Sequence, residues 1–100
     1  MATRDAVERR LWAAAQYRAA ELGFAPDCEI FVRDLVRQGA DRIAAEGFLN
    51  DEDRIAVAEA NVKRFVSEMM IEARFMGLAM LHEPTFFKTL NSLCPMWPFC

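Results

Sequence analysis

The sequence predicts an all-α fold, a small four-helix bundle-like domain with one long third helix and an irregular C-terminal tail rich in proline and aromatic residues. Three observations carry this prediction. Apolar residues recur every three or four positions, start and stop signals separate the helical stretches, and no stretch alternates as a half-buried strand does. With 100 residues, the chain is expected to form one domain, 1–100, around a single core.

The first helix is expected over about residues 4–22. Thr3 is a suitable N-cap residue, and Gly23 is typical of the position just beyond a helix C-terminus. Between them, the apolar residues at helical spacing predict one buried face: Val7, Leu11, Trp12, Ala15, Ala19 and Leu22.

The second helix is expected over about residues 27–46. Pro26 and Asp27 are typical of a helix start. The predicted buried stripe contains two glycines among larger apolar residues: Cys28, Phe31, Val32, Leu35, Val36, Gly39, Ile43 and Gly47. Because Gly39 lies on this stripe, we expect a close helix crossing there.

The third helix is expected over about residues 51–82. Asn50 offers a side-chain oxygen to the free amides, and the three carboxylates that follow favour the positive end of the helix. At 1.5 Å per residue this helix would be roughly 48 Å long, so it must kink near Gly77, protrude or be covered. Its predicted core stripe is Ile55, Ala58, Val62, Phe65, Val66, Met69, Ala73, Met76 and Met80.

A short fourth helix is expected over about residues 84–93, beginning at Pro84. The tail that follows, 94–100, contains Pro95 and Pro98 and therefore cannot be regular helix. Its packing is not fixed by the sequence.

Composition narrows the classes of function. The formal charge is −3, and carboxylates are interleaved with the arginines of the first two helices, which argues against direct nucleic-acid binding. The longest apolar run, 69–81, is shorter than the roughly 20 residues of a membrane span. Three cysteines are too few for a disulfide scaffold, which favours free thiols and a cytoplasmic location, although oxidation could join Cys94 to Cys100.

The sequence contains no recognisable catalytic motif, so we expect no enzyme and no cofactor. His82 beside Glu83 is a weak acid–base pair with no nucleophile at a motif spacing. An alternative function is a soft-metal or haem carrier using Met80, His82 and Cys94, since thioether, imidazole and thiolate groups are soft ligands.

The favoured hypothesis is a small acidic protein-binding module, an adaptor or inhibitor of the phage- or plasmid-encoded kind. Ile71, Phe75 and Leu78 fall on the helix face opposite the predicted core stripe, where an apolar patch indicates association. We expect the C-terminal tail to cover part of this patch and another chain to cover the rest, most simply in a homodimer that pairs the third helices. The carboxylates Asp51, Glu52 and Asp53 are the predicted contacts to a larger basic protein machine.

Overall fold

The computed structural model describes residues 3–23, 29–75 and 94–99, and it confirms the all-α class. Three helices are present within these residues: α1 (Arg4–Leu22), α2 (Glu29–Ala45) and α3 (Glu52–Phe75). The predicted count of four is therefore not matched in the described part of the chain. The predicted fourth helix, 84–93, and the predicted end of the third, 76–82, lie outside it. None of the three described helices is long and apolar enough to cross a membrane.

Both ends of α1 are closed by the predicted residues. Thr3 has an extended backbone, and its Oγ1 accepts a hydrogen bond from the Ala6 amide at 3.1 Å. Gly23 adopts the left-handed conformation, with φ 74°, and its amide donates to the Ala20 carbonyl. These contacts satisfy backbone groups that the ends of a helix leave free.

The turn between α2 and α3 is organised by Gly47. Its φ of 77° is left-handed, its amide donates to the Ala44 carbonyl, and the Phe48 amide donates to the Ile43 carbonyl. This pair of hydrogen bonds is the Schellman pattern of a helix C-terminus. Gly47 is exposed, so its predicted place on the buried stripe is wrong: it ends the helix and does not pack in the core.

The N-cap of α3 is Asp51, one residue later than the Asn50 cap that the sequence predicted. The Asp51 Oδ1 accepts from the Arg54 amide at 3.2 Å, and the Ile55 amide donates to the Asp51 carbonyl. The Asp51 amide itself donates to Phe48 within the preceding turn. The turn therefore places aspartate at the capping position, and Asn50 is left exposed.

The helices alternate in direction, with α1 at the centre. Arg4 pairs with Asp41 and Trp12 lies beside Arg33, so α1 and α2 are antiparallel. Arg10 pairs with Glu59 and Arg18 donates to Ser67 at 2.7 Å, so α1 and α3 run in the same direction. α1 packs extensively against both neighbours, whereas α2 and α3 make few direct contacts.

The core lies along α1 and contains the apolar residues that face its two neighbours. The predicted buried stripe of α3 is confirmed where side chains are described, and that of α1 is confirmed except at Trp12 and Leu22, which are only partly buried. Small alanines on α1 allow close helix approach. The buried residues of the three helices are Val7, Leu11, Ala14, Ala15, Ala19, Val32, Leu35, Val36, Ala40, Ile43, Ile55, Ala58, Val62, Phe65, Val66 and Met69.

Residues 94–99, hereafter the C-terminal segment, close the seam between α2 and α3. The Trp97 side chain is buried, and its Nε1 donates to the Leu35 carbonyl of α2 at 3.0 Å. On the other side, Asn61 of α3 donates through Nδ2 to the Pro98 carbonyl at 2.7 Å. Phe99 packs edge-on against Phe48, with ring centroids 5.5 Å apart. The irregular tail predicted from the prolines is thus part of the core.

The absence of a side chain at Gly39 leaves space in the seam for the Trp97 ring of this segment. A Cβ at residue 39 would lie 3.0 Å from Nε1 of Trp97 and 3.2 Å from Cε2 and Cζ2. The predicted close approach therefore exists, but the neighbour is an indole ring and not a second helix. The expectation of a helix crossing at Gly39 is wrong because the sequence pattern cannot show which element fills the space.

Cys94 is disulfide-bonded, so the prediction of free thiols does not hold for this residue. Cys28 and Cys100 lie outside the described residues. Because the expectation of a cytoplasmic location was based on free thiols, it loses that support and stays a prediction.

Candidate functional site

The three predicted acidic contacts, Asp51, Glu52 and Asp53, occupy different structural roles. Asp51 caps α3 and lies 3.4 Å from Arg54. Both carboxylate oxygens of Glu52 accept from Nη1 of Arg10 at 2.9 Å, which joins α3 to α1. The hydrogen bonds that Arg10 donates to Glu52 are the largest cause of the raised pKa of Arg10. Asp53 is exposed. Two of the three carboxylates therefore already have partners within this chain.

The structure describes the backbone of only two of the three residues in the predicted apolar patch. Ile71 and Phe75 belong to α3, but their side chains are not described, and Leu78 lies outside the described residues. Their role in partner binding or in a homodimer stays a prediction.

The alternative soft-metal or haem site loses one of its ligands. A disulfide sulfur has no thiolate to donate to a metal, and Cys94 is disulfide-bonded. Met80 and His82 lie outside the described residues. Within the described ranges there is no group of three or more histidine, cysteine or carboxylate side chains placed to hold a metal ion.

A surface groove between α1 and α2, hereafter the arginine groove, is the candidate site. Its volume is about 240 Å³. Side chains spaced along one face of α1 supply one wall: Arg4, Glu8, Arg9 and Trp12. The facing side of α2 supplies the other: Arg33, Val36 and Arg37. Four of these seven residues are arginines, so the groove combines guanidinium groups with one aromatic ring.

Arg4 closes one end of the groove through a network of carboxylates. Its Nε donates to Asp41 Oδ1 at 2.6 Å, and its Nη2 donates to Glu8 Oε1 at 3.2 Å. Asp5 accepts a third contact at 3.2 Å. The hydrogen bond with Asp41, followed by that with Glu8, raises the pKa of Arg4. This guanidinium is therefore committed to joining the start of α1 to α2.

The remaining arginines of the groove form long ion pairs or none with the described carboxylates. Arg37 lies 4.0 Å from Glu8 and 3.6 Å from Asp34, at the long limit of an ion pair. Arg9 and Arg33 are exposed, and neither forms an ion pair with a carboxylate among the described residues. The groove thus holds two arginines whose charge is not matched by a contacting carboxylate.

Trp12 gives the groove an apolar surface beside these charges. The Arg33 guanidinium carbon lies 5.0 Å from the centroid of the Trp12 ring, which is within the range of a cation–π interaction. Trp12 is partly buried against the core, and Val36 is fully buried beneath the groove. The groove therefore offers an arriving group the Arg9 guanidinium and, beside it, the Arg33 guanidinium that lies over the indole of Trp12.

This groove was not predicted from the sequence, because the arginines and carboxylates of the first two helices were weighed by their total charge and not pair by pair. Their mixture with carboxylates argued against a charged binding surface, but the pairing is uneven: Arg4, Arg10 and Arg18 contact acidic or polar partners, while Arg9 and Arg33 do not. The sequence does contain one usable signal, which is the alignment of residues along α1 with those along α2. In an antiparallel pair of helices joined by few residues, the residues that face each other can be counted outward from the connection.

No known protein family, curated protein or solved structure matches this chain. The fold and the site define its class: a small all-α domain that carries a charged groove between two antiparallel helices.

Proposed function

We propose that this chain is a non-catalytic helical protein-binding module, an adaptor or inhibitor of a larger protein, and that it docks its partner in the arginine groove. The observation that carries the proposal is the combination of Trp12 with the unpaired Arg9 and Arg33. Tryptophan and arginine are the residues most enriched at the energetic centres of protein interfaces.

The size of the groove favours a partner side chain over a small molecule. Pockets for small molecules and cofactors usually enclose about 300 to 1,000 Å³, and this groove is smaller, at about 240 Å³. It is wide enough for one or two side chains of a docked protein. Its edges continue onto the exposed faces of α1 and α2, where a larger interface can extend.

The chemistry of the lining favours binding over catalysis. Guanidinium groups remain protonated throughout the physiological pH range and do not act as general bases. Glu8 is the one carboxylate among the lining residues, and it is held by Arg4. The groove therefore offers charge and aromatic surface in fixed positions.

Capture experiments with charge-reversed variants test the proposal. We expect the wild-type chain, used as bait in cells that produce it, to retain a partner protein that Arg9→Glu and Arg33→Glu fail to retain. Arg64→Glu is the matched control, since Arg64 is exposed on α3 and does not line the groove. A partner retained equally by all variants would contradict the groove as the docking site, and capture of no partner would contradict the binding function.

A further inference from the structure

We infer that the occupant of the arginine groove is an acidic peptide segment of the partner, one that places an apolar or aromatic side chain against the exposed part of Trp12, between carboxylates that reach Arg9 and Arg33. This inference depends on the proposed function and specifies the chemistry of the partner. It is carried by the charge and shape of the groove.

The positive charge is the first part of the argument. Arg4 is fully engaged by Asp41, Glu8 and Asp5, so it offers little to a ligand. Arg9 and Arg33 have no carboxylate partner within the described chain, and Arg37 has only distant ones. Carboxylates are the natural complement, since arginine binds them through paired, charge-assisted hydrogen bonds.

The aromatic surface is the second part. The Arg33 guanidinium lies over the Trp12 ring across the groove, so a ligand carboxylate bound to Arg33 would bring the neighbouring residue of the same peptide beside the exposed part of the indole. An apolar side chain there would remove aromatic surface from water. A ligand with charge alone would leave the exposed part of the Trp12 side chain in contact with water. The groove therefore matches a mixed acidic and apolar segment better than a simple anion.

The negative charge around the groove argues against nucleic acid. Glu8 lines the groove itself, and Asp5, Asp34 and Asp41 contact the arginines from its edges. The whole chain also carries a formal charge of −3. A polyanion with phosphates along its length would meet these carboxylates, whereas a short peptide segment can direct its own carboxylates to Arg9 and Arg33, which have no carboxylate partner among the described residues.

The two tryptophans allow a direct test by NMR on the labelled full chain. The probe is a short synthetic peptide of glutamates and aspartates around a central phenylalanine. We expect this peptide to shift the indole N–H signal of Trp12, which lines the groove, and to leave that of buried Trp97 unchanged. The Trp97 signal also reports that each variant is folded.

Single neutral substitutions then identify the contacts. We expect Arg9→Gln and Arg33→Gln each to weaken peptide binding about tenfold, a loss equivalent to one charged contact. Arg64→Gln, which removes the same charge from α3, should leave the affinity unchanged. Replacing the central phenylalanine of the peptide by glycine should also weaken binding, and replacing its acidic residues by lysine should abolish it.

Several outcomes would overturn the inference. An unmoved Trp12 signal, or a peptide affinity that the arginine substitutions do not change, would show that the groove does not bind acidic peptides. Equal or tighter binding of inorganic phosphate or a single-stranded oligonucleotide would assign the groove to another ligand. If the capture experiment still yields a partner that depends on Arg9 and Arg33, these outcomes overturn the acidic peptide alone and leave the protein-binding function standing.

Discussion

At the scale of single residues, the contact between Gly39 and Trp97 determines how the C-terminal segment fits the helices. The indole approaches α2 so closely that a Cβ at residue 39 would lie 3.0 to 3.2 Å from three of its atoms. The ring is also fixed by its hydrogen bond to Leu35 and by burial, so it has little freedom to move. Glycine is required here by packing, because its helical backbone needs no special conformation.

This contact predicts that the effect of Gly39→Ala changes sign with its neighbour. In the wild-type chain we expect a net loss of about 1 to 2 kcal/mol in the free energy of unfolding, because overpacking outweighs the better helix propensity of alanine. In a Trp97→Leu background the same change should stabilise the protein by up to about 1 kcal/mol. Urea denaturation of the four proteins, followed by far-UV circular dichroism, measures both effects.

The prediction fails if Gly39→Ala destabilises both backgrounds equally. That result would mean that residue 39 is constrained by something other than the indole ring. Trp97→Leu itself removes a buried ring and its hydrogen bond, so only the difference between the backgrounds is informative.

At the scale of elements, those features of the helices were predictable from sequence that depend on residues close together along the chain. The fold class and the cap at Thr3 follow from side-chain chemistry within a few residues, and the structure confirms them. The predicted cap of α3 was wrong by one residue, because Asn50 and Asp51 are equally good capping residues and the sequence pattern does not distinguish them. Their choice is made by the turn at Gly47, whose hydrogen bonds fix the direction in which the chain enters α3.

This assignment of the cap can be tested by two neighbouring alanine substitutions. Asp51→Ala removes the acceptor of the Arg54 amide and a carboxylate at the positive end of α3, so we expect a loss of about 1 kcal/mol in the free energy of unfolding. Asn50→Ala is the matched control and should change stability by less than about 0.5 kcal/mol. Chemical denaturation compares them directly, and an equal or larger loss at Asn50 would contradict the assignment.

The arginine groove shows where prediction from sequence stopped for the candidate site. The composition of α1 and α2 was visible, but a binding surface depends on which charges are left after pairing. Arg4 joins α1 to α2, and Arg10 joins α1 to α3. Only the three-dimensional arrangement shows that Arg9 and Arg33 are left without a carboxylate partner among the described residues. The opposite holds for the predicted acidic contacts. Asp51 and Glu52 were predicted to contact a partner, but both accept hydrogen bonds from groups of this chain.

At the scale of the whole molecule, the C-terminal segment packs into the seam between α2 and α3 and joins these two described helices. α3 is about 36 Å long over its 24 described residues, which fits within the longest dimension of 43 Å. α1 covers one side of α2 and α3, and the segment fills the seam on the other. The sequence indicated an irregular tail, but the pairing of Trp97 with a helix more than fifty residues earlier carries no local signal.

The C-terminal segment is therefore expected to contribute to the stability of the whole domain. Trp97→Ala should lower the free energy of unfolding by about 3 to 5 kcal/mol, because it leaves a cavity between α2 and α3. That is a large share of the roughly 5 to 15 kcal/mol available to a domain of this kind. Met96→Ala, at an exposed position of the same segment, is the control and should change stability by less than about 0.5 kcal/mol. Denaturation monitored by circular dichroism would refute this role if the two variants proved equally stable.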